Sequence, residues 1–393
     1  MEKKVYLDSA ATTYVSSEVL SEMTPCFNVF FGNANSIHSF GREAQGLVDR
    51  ARDRIAKTID AKAEEIYFTS GGTESNNWAI KGLAHAYAKK GKHIITSKIE
   101  HPSILAACKE LENEGFEVTY ISVDKYGVVS LAEIMHSIRK DTILISIMAV
   151  NNEVGTIQNI KAIGKTAKEN GILFHVDAVQ AFGTLKLDVK DMEIDAMSIS
   201  SHKIYGPKGV GALYVRKGVR IEPLIAGGHQ ERAKRGGTTN VPGVVGFGKA
   251  AEVTARDMAV NNQRLKTIRD YFVHEVTEKI PFIQLNGHPY QKVNTIVNIS
   301  FEMIEGEAIL LMLDFEGIAV STGSACTSGS LEKSHVLKAM GIDDELANGS
   351  IRFSFTRSTT KADIDYVVEK LAMVVEKLRK ISPQTRAGRK GDK

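Results

Sequence analysis

Between about residues 60 and 215, seven short runs rich in β-branched and aromatic residues alternate with segments of helical character. The runs are EIYFTS, HIITSKIE, VTYISV, TILISIMAV, ILFHVDA, DAMSISS and GALYV. Strands that alternate with helices pair in parallel, because each helix carries the chain back across a face of the sheet. The alternation predicts an α/β fold with a mainly parallel seven-stranded sheet that helices cover on both faces.

A chain of 393 residues, 43% of them hydrophobic, is long enough to form two domains. Beyond the alternating region, a long helical segment near 246–280 leads to further strands in NTIVNISF and GSIRFSFT. The amphipathic stretch DIDYVVEKLAMVVEKLRKI follows them. We expect a large domain at 16–260 and a smaller α+β domain formed by 1–15 and 261–393.

The composition argues against several classes of partner and site. The net charge is +3, no stretch approaches the roughly 20 apolar residues that span a bilayer, and the start resembles no secretory signal. We expect a cytoplasmic protein with no nucleic-acid or membrane partner. Cys26, Cys108 and Cys326 are widely spaced, which disfavours a disulfide framework and a thiolate zinc site. We predict no metal site.

Polar residues gather directly after the ends of five predicted strands. They are Ser70 to Thr73, His101, Asn151 with Asn152, Asp177 with Gln180, and Ser200 to Lys203. In open α/β sheets, ligands bind in the crevice outside the carboxyl ends of the strands. We therefore expect five loops to line one ligand-binding crevice.

Three features of these loops match the needs of pyridoxal phosphate (PLP). TSGGTESNN (69–77) reads as a strand, a glycine turn and a helix start with Thr73 near the N-cap, where N–H groups and the helix dipole favour a phosphate. Asp177 supplies a carboxylate for the pyridinium nitrogen, and Lys203 supplies an amine for a Schiff base. Alone, each feature has a plain alternative: a glycine turn, a helix-capping aspartate or a solvent-exposed lysine. The sequence contains neither a complete P-loop nor a G-x-G-x-x-G motif after a strand, so it does not indicate a conventional nucleotide site.

Several motifs together resemble one family. They are SSHKIYGPKG around Lys203, HVDAVQ around Asp177, TSGGTESNN, EHPSI, VNNEVG and TGSACTSGSLE. In their order along the chain they resemble the cysteine desulfurases of the NifS/IscS type, within the class V aminotransferases. The similarity extends from YLDSAATT near the start to SIRFSFTR near the end. It implies a fold-type I PLP-dependent transferase.

The resemblance also implies a role for each matching residue. Lys203 would hold PLP as a Schiff base, Asp177 would pair with the ring nitrogen, and Gln180 would bond the phenolic oxygen. His101 would stack on the ring and move protons, and Arg352 would grip the substrate carboxylate with its planar donor fork. The other residues implied to contact cofactor or substrate are Gly72, Thr73, Asn152, Ser200, His202 and Thr238. The last of these would reach the cofactor phosphate of the neighbouring subunit, so the resemblance implies a homodimer.

Taken singly, these residues also have structural readings. His101 before Pro102 is typical of a turn, Thr73 and Ser200 of helix caps, and Asn152 and Gln180 of loop hydrogen-bonding residues. Arg352 in IRFSF is compatible with an exposed edge charge. Their joint agreement with one family pattern favours the functional reading.

Cys326 lies among Gly, Ser and Thr in VSTGSACTSGS (320–330), whereas Cys26 and Cys108 have apolar neighbours. A thiol on a flexible loop can approach a substrate and then swing outward with the product. The resemblance implies a mobile loop at about 321–334, in which the Cys326 thiolate takes sulfur from L-cysteine as a persulfide and leaves L-alanine. The attack needs a thiolate, so we expect a nearby positive charge or a proton acceptor, for which His101 is the best candidate.

The predicted function is a PLP-dependent cysteine desulfurase that supplies sulfur to an acceptor protein or an iron–sulfur scaffold. Two alternatives stay open: a selenocysteine lyase or other class V aminotransferase, and a non-catalytic sulfur-assembly scaffold. GNANS, RGGTTN and Lys333 depart from the commoner family pattern. These departures bear on loop stiffness, the dimer contact or the choice of acceptor, because none removes a group that the chemistry needs.

Overall fold

The computed structural model describes residues 3–322 and 334–382. The strands in these residues are β1 (Val5–Tyr6), β2 (Ile66–Thr69), β3 (His93–Ser97), β4 (Glu117–Ile121), β5 (Thr142–Met148), β6 (Leu173–Asp177), β7 (Ala196–Ser200), β8 (Gly211–Val215), β9 (Ile283–Asn286), β10 (Ile296–Phe301), β11 (Ile318–Ala319), β12 (Ser321–Thr322) and β13 (Ser350–Ser354). The helices are α1 (Ser17–Met23), α2 (Pro25–Asn28), α3 (Ser39–Thr58), α4 (Gly72–Tyr87), α5 (Pro102–Asn113), α6 (Leu131–Ser137), α7 (Ile160–Glu169), α8 (Gln230–Ala233), α9 (Val241–Lys279), α10 (Gly306–Phe315), α11 (His335–Ala339), α12 (Asp344–Asn348) and α13 (Lys361–Ile381).

The large sheet has seven strands in the order β2-β8-β7-β6-β5-β3-β4. Strand β8 runs antiparallel to both of its neighbours, and the other pairs are parallel. Every residue of β3, β5, β7 and β8 is buried, as expected of strands covered on both faces. The predicted α/β fold with a mainly parallel seven-stranded sheet is confirmed.

Helices cover the two faces of this sheet with separate apolar clusters. Trp78 and Leu83 of α4 pack with Ile104 of α5 on one face. Helices α3, α7 and the first part of α9 contribute to the cluster on the other face. The large sheet is therefore the middle layer of three.

A second sheet of four antiparallel strands, in the order β12-β13-β10-β9, has its own apolar core with α10 and α13. Val5 and Leu7, near the start of the chain, belong to this second core. Helix α9 joins the two cores, because Val244 and Phe247 lie in the first and Phe272 lies in the second. The domain bounds drawn from the sequence stay a prediction.

Helix α9 begins earlier than the sequence pattern indicates, at Val241 rather than near residue 246. The Asn240 side chain caps it by accepting a hydrogen bond from Gly243 N, and Pro242 lies in its first turn.

None of the helices in the described ranges, α9 included, has the length and apolar character needed to cross a membrane.

A buried ion pair holds the segment that precedes α9. Arg52 of α3 donates to both carboxylate oxygens of Glu231, at 2.7 and 2.8 Å, and also to Ile66 O. The side chains are only 8% and 7% exposed. Glu231, Arg232 and Ala233 all have positive φ angles, which cost side-chain-bearing residues energy. The ion pair thus stabilises a backbone turn that is unfavourable by itself.

Replacing Glu231 with Ala is expected to lower the free energy of unfolding by about 3–5 kcal/mol, since Arg52 would stay buried without its counterion. Urea unfolding followed by circular dichroism measures the change. Lys161→Ala is the control, because Lys161 forms an exposed pair with Asp191 and such pairs contribute at most about 1 kcal/mol. Equal losses in the two variants would contradict the stabilising role of the buried pair.

Candidate active site

Parallel register brings the predicted residues to one edge of the large sheet. Met148 at the end of β5 pairs with Asp177 at the end of β6, and Asp177 pairs with Ser198 of β7. A cleft with about 930 Å³ of empty space opens at this edge. Ten of the twelve predicted site residues line it: Gly72, Thr73, His101, Asn152, Asp177, Gln180, Ser200, His202, Lys203 and Arg352.

The glycine turn and α4 form an anion cradle at one end of the cleft. The N-cap of α4 is Gly71, so Thr73 lies in the first helical turn, two residues after the cap. A Cβ atom on Gly72 would lie 2.8 Å from a methyl group of Val179, so only glycine lets the turn approach this wall. The Ser200 hydroxyl is buried there and has no hydrogen-bond partner.

Lys203 ends a single helical turn, Ser201–Lys203, that directly follows β7. Its Nζ donates hydrogen bonds to Ala10 O at 2.5 Å and Ala11 O at 2.7 Å. Gln180 Nε2 also donates to Ala10 O, at 2.9 Å. The N-terminal segment therefore forms a wall of the cleft. The sequence does not predict this wall, although YLDSAATT is among the motifs that resemble the family.

Asp177 is held in a defined orientation. Its Oδ2 accepts from Asn76 Nδ2 at 2.7 Å, and its Oδ1 accepts from Val179 N at 2.9 Å. Asn76 also donates to Ser103 Oγ at 2.9 Å and lies one turn of α4 beyond Thr73. The carboxylate is 5% exposed and lines the cleft. The sequence alone does not indicate this contact of Asn76 with Asp177.

His101 both caps α5 and lines the cleft. Its Nδ1 accepts from Ser103 N at 3.1 Å, so the hydrogen of the neutral ring is on Nε2. Burial, followed by the charges of Lys203 and His335, lowers the pKa of His101, and Asp177 opposes this shift. His101 can therefore cap α5 and also act in the cleft. In this state the ring has an Nε2–H donor, and its Nδ1 lone pair is already used.

His202 is also neutral near pH 7. Burial, with smaller contributions from Lys203 and Lys208, lowers the pKa of His202 to about 4. Its Nδ1 lies 3.1 Å from Thr12 Oγ1, which again ties the N-terminal segment to the cleft. His202 can therefore contact an anion through a neutral N–H group but not as a cation.

Arg352 reaches the cleft from β13 of the second sheet and is only 2% exposed. Its Nη1 donates to Asn152 O and its Nη2 to Asp8 Oδ1, both at 3.0 Å. Its Nε is buried without a partner. The reading of Arg352 as an exposed edge charge is wrong. Asp8, its counterion, is a further residue that the sequence analysis did not identify.

These groups fit PLP. An amine, a carboxylate and an anion cradle lie in one cleft, and the unpartnered Ser200 hydroxyl lies at the cradle. A buried polar group without a partner costs about 1–3 kcal/mol, so this hydroxyl is well suited to bond a ligand oxygen. The donors and charges match a cofactor that carries a phosphate, an aldehyde and a basic ring nitrogen.

Thr238 does not line the cleft. Thr238 borders a second cavity of about 420 Å³, together with Ser70 and Arg235. Cys326 lies outside the described residues, as does most of the predicted loop at 321–334. Cys26 and Cys108 are both buried, and burial raises the pKa of the Cys108 thiol to about 12.

Two buried acids lie directly behind the cleft. Burial raises the pKa of Glu100 to about 8 and that of Glu153 to about 7. Glu100 Oε1 accepts from Ser97 Oγ and Met148 N, while its Oε2 has no partner. Glu100 precedes His101, and Glu153 follows Asn152. Both acids therefore support loops that contribute to the cleft.

Glu100→Gln is expected to make stability less dependent on pH. Between the ordinary pKa of 4.5 and about 8, the folded protein binds more protons at Glu100 than the unfolded chain, so stability falls as pH rises. Gln cannot ionise, so the melting temperature of the variant relative to the parent should rise by at least about 2 °C from pH 5 to pH 8.5. Differential scanning calorimetry measures the melting temperatures of the variant and the parent at each pH. The control is Glu110→Gln at an exposed site on α5. Parallel pH curves for Glu100→Gln and the parent would contradict the prediction.

A lysine, a carboxylate and an anion cradle at the carboxyl edge of a parallel sheet define a class of protein, the PLP-dependent enzymes. Within this class, residues 5–367 match the family described as Aminotransferase class-V, and the chain belongs to that family. The predicted family is confirmed.

The relatives match over nearly the whole chain. A cysteine desulfurase IscS from Dictyoglomus turgidum is 54% identical over 383 residues, which cover 98% of this chain and 97% of the relative. A cysteine desulfurase IscS from Methanosarcina thermophila is also 54% identical, with coverage of 98% and 95%.

Two solved structures confirm the fold-type I architecture. A NifS-like protein has a TM-score of 0.91 at 39% identity and covers 96% of this chain and 100% of its own. SspA in complex with cysteine has a TM-score of 0.80 at 38% identity, with coverage of 90% and 99%.

Proposed function

We propose that the protein is a PLP-dependent cysteine desulfurase that converts L-cysteine to L-alanine and transfers the sulfur to Cys326. The observation that carries the proposal is the convergence of Lys203, Asp177 and Arg352 on one cleft with an anion cradle. Relatives that carry the name cysteine desulfurase at 50–54% identity support the activity. They do not favour the selenocysteine lyase, the aminotransferase or the non-catalytic scaffold.

The cofactor, when bound, supplies an electron sink that weakens the bonds around the substrate Cα. In the proposed arrangement Lys203 would hold the cofactor, and its amine, when free, would move a proton at the substrate Cα. Asp177, oriented by Asn76 and Val179 N, keeps the ring nitrogen protonated. Ser200, His202, Thr73 and the N–H groups at Gly72 bind the phosphate.

Arg352 is the proposed partner of the substrate carboxylate. Its guanidinium lines the cleft and is positioned by Asn152 O and Asp8. The unpartnered Nε marks unused donor capacity. A planar donor fork suits a carboxylate, and the structure of SspA in complex with cysteine supports L-cysteine as the amino acid that binds.

Sulfur transfer is assigned to Cys326 because the other two thiols are unsuited to it. Cys26 and Cys108 are buried, and burial raises the pKa of each. In the proposed step the Cys326 thiolate attacks the substrate sulfur, the substrate carbon–sulfur bond breaks, and its electrons return to the carbon skeleton, which is protonated to alanine. One sulfur atom leaves L-cysteine and appears as the persulfide on Cys326, so atoms and electrons balance.

We propose a narrower role for His101 than the sequence predicts. Since Ser103 N already bonds Nδ1, the neutral ring has an Nε2–H donor. We propose that His101 stacks on the cofactor and donates this hydrogen bond in the cleft. It accepts the thiol proton only when the bond from Ser103 is released.

Brief exposure to L-cysteine is expected to add the mass of one sulfur atom to the peptide that contains Cys326. Mass spectrometry of non-reduced digests should show no addition on the peptides of Cys26 and Cys108. Cys326→Ser should lower alanine formation at least about 100-fold, because the nucleophile is lost. An aminotransferase would keep its activity in this variant, and that outcome would refute the proposal.

We also propose a homodimer in which Thr238 completes the partner's cofactor site. Thr238 does not line the cleft of its own chain. The chain carries no Asp, Glu, Lys or Arg from Met23 to Gly41. Apolar side chains are exposed there, among them Phe27, Phe31 and Ile37. Exposed apolar side chains with few charges are typical of subunit interfaces.

Ile37→Asp is expected to shift the protein from dimer to monomer and to raise the dimer dissociation constant at least about tenfold, because a charge would be buried in the contact. Ile37 is 91% exposed, so the change should not affect folding of the chain. Light scattering after size-exclusion chromatography measures the mass. Val260→Asp, at a 74% exposed position on α9, is the control. A dimeric Ile37→Asp variant would exclude this surface as the interface.

The persulfide requires a second thiol to remove its sulfur. We therefore propose delivery to a sulfur-acceptor protein, such as an iron–sulfur scaffold. We place the reaction in the cytoplasm, where thiols stay reduced.

A further inference from the structure

The ion pair between Glu74 and Arg235 joins two parts of the molecule that serve the cofactor. Arg235 donates to both carboxylate oxygens of Glu74, from Nε at 2.8 Å and from Nη2 at 3.0 Å. The Arg235 side chain is 21% exposed and the Glu74 side chain is 10% exposed. Neither residue lines the cleft. The pair is therefore outside the assigned catalytic machinery.

On one side, the pair closes the phosphate turn. Glu74 follows Thr73 in the first turn of α4, and its Oε2 also accepts from Ser70 N at 2.8 Å. The side chain thus spans the turn from Ser70 to Glu74 and holds it in one conformation. Bidentate, charge-assisted hydrogen bonds give such contacts both strength and direction.

The charge of Glu74 also needs a counterion. A free carboxylate in the first turn of α4 would repel the phosphate that the turn is built to bind. Burial alone would raise the pKa of Glu74, but hydrogen bonds from Arg235 and Ser70 outweigh it and lower the pKa. Glu74 is therefore ionised at neutral pH, and Arg235 balances its charge.

On the other side, Arg235 begins the segment that carries Thr238. Arg235, Thr238 and Asn240 border the same small cavity as Ser70 of the phosphate turn. The backbone before Arg235 is held separately, through Arg52 and Glu231. One guanidinium thus ties the chain's own phosphate turn to the loop proposed to serve the partner.

We propose that Glu74 and Arg235 are a positioning pair that couples the two cofactor sites of the dimer, an inference that rests on the proposed function. A change in the phosphate turn of one subunit is transmitted through the guanidinium to the Thr238 loop, and from there to the partner's phosphate. Either member of the pair therefore influences cofactor affinity without touching the cofactor.

The test measures the dissociation constant of PLP by visible absorbance titration of the apo-dimer. Arg235→Met should raise the dissociation constant about tenfold, because it breaks the pair and leaves the Glu74 charge beside the phosphate. Glu74→Gln breaks the same pair but removes that charge, so it should raise the constant by about threefold, and the double variant by no more than Arg235→Met alone. Arg235→Lys should recover part of the affinity, since Lys keeps the charge but loses the donor fork. Arg54→Met is the matched control, since Arg54 pairs with Glu22 away from the cleft.

The melting temperature and the solution mass of each apo-variant are measured as well. A variant that keeps the parent's values for both has lost positioning of the phosphate turn and not its fold or its dimer. Affinities within about twofold of the parent, multiplicative effects in the double variant, or an equal loss in Arg54→Met would overturn the proposal.

A mixed dimer tests the coupling between subunits. A chain with both Arg235→Met and Lys203→Ala is paired with a parent chain, so that borohydride fixes cofactor only to Lys203 of the parent chain. The dissociation constant at that site should rise by roughly threefold or more, because its Thr238 loop comes from the variant chain. An unchanged value would overturn the coupling. Absence of any fixation in the parent homodimer would instead refute the proposed function.

Discussion

The parallel register of β5, β6 and β7 is the constraint on which the rest of the site depends. Because Met148, Asp177 and Ser198 lie side by side, the loops after these strands emerge together. Lys203 follows β7 within a single turn, so its amine has little freedom to leave the edge that Asp177 occupies. Slipping one strand by two residues would move its loop by about 6.6 Å, more than a hydrogen bond can bridge.

The sheet edge alone leaves the cleft open on one side. The N-terminal segment closes it through contacts that are remote in sequence: Ala10 O and Ala11 O accept from Lys203, and Asp8 pairs with Arg352. Since Val5 and Leu7 are anchored in the second core, this wall and Arg352 belong to the same packed unit. The cleft is thus assembled where two independently packed cores meet.

The features that the sequence predicts well are those with a residue-type signature. All seven strands of the large sheet were visible as apolar runs, and the polar residues after them line one cleft. Groups whose role depends on a partner far away in sequence leave no such signature. Asn76 matters because it donates a hydrogen bond to Asp177, which is 101 residues away in sequence, and Ala10 contributes only a carbonyl group, which any residue supplies. Burial also decides the state of Glu100, and no local pattern around that residue reports it.

The charges of the cleft are divided in a way that bears on mechanism. Lys203 and Arg352 are the only lysine and arginine side chains among its lining residues in the described chain. His202 is neutral, and burial lowers the pKa of His101. The phosphate cradle therefore relies on N–H and hydroxyl donors and on the dipole of α4 rather than on a full positive charge. In the proposed mechanism, this arrangement leaves the Lys203 amine for the Schiff base and the Arg352 guanidinium for the substrate carboxylate.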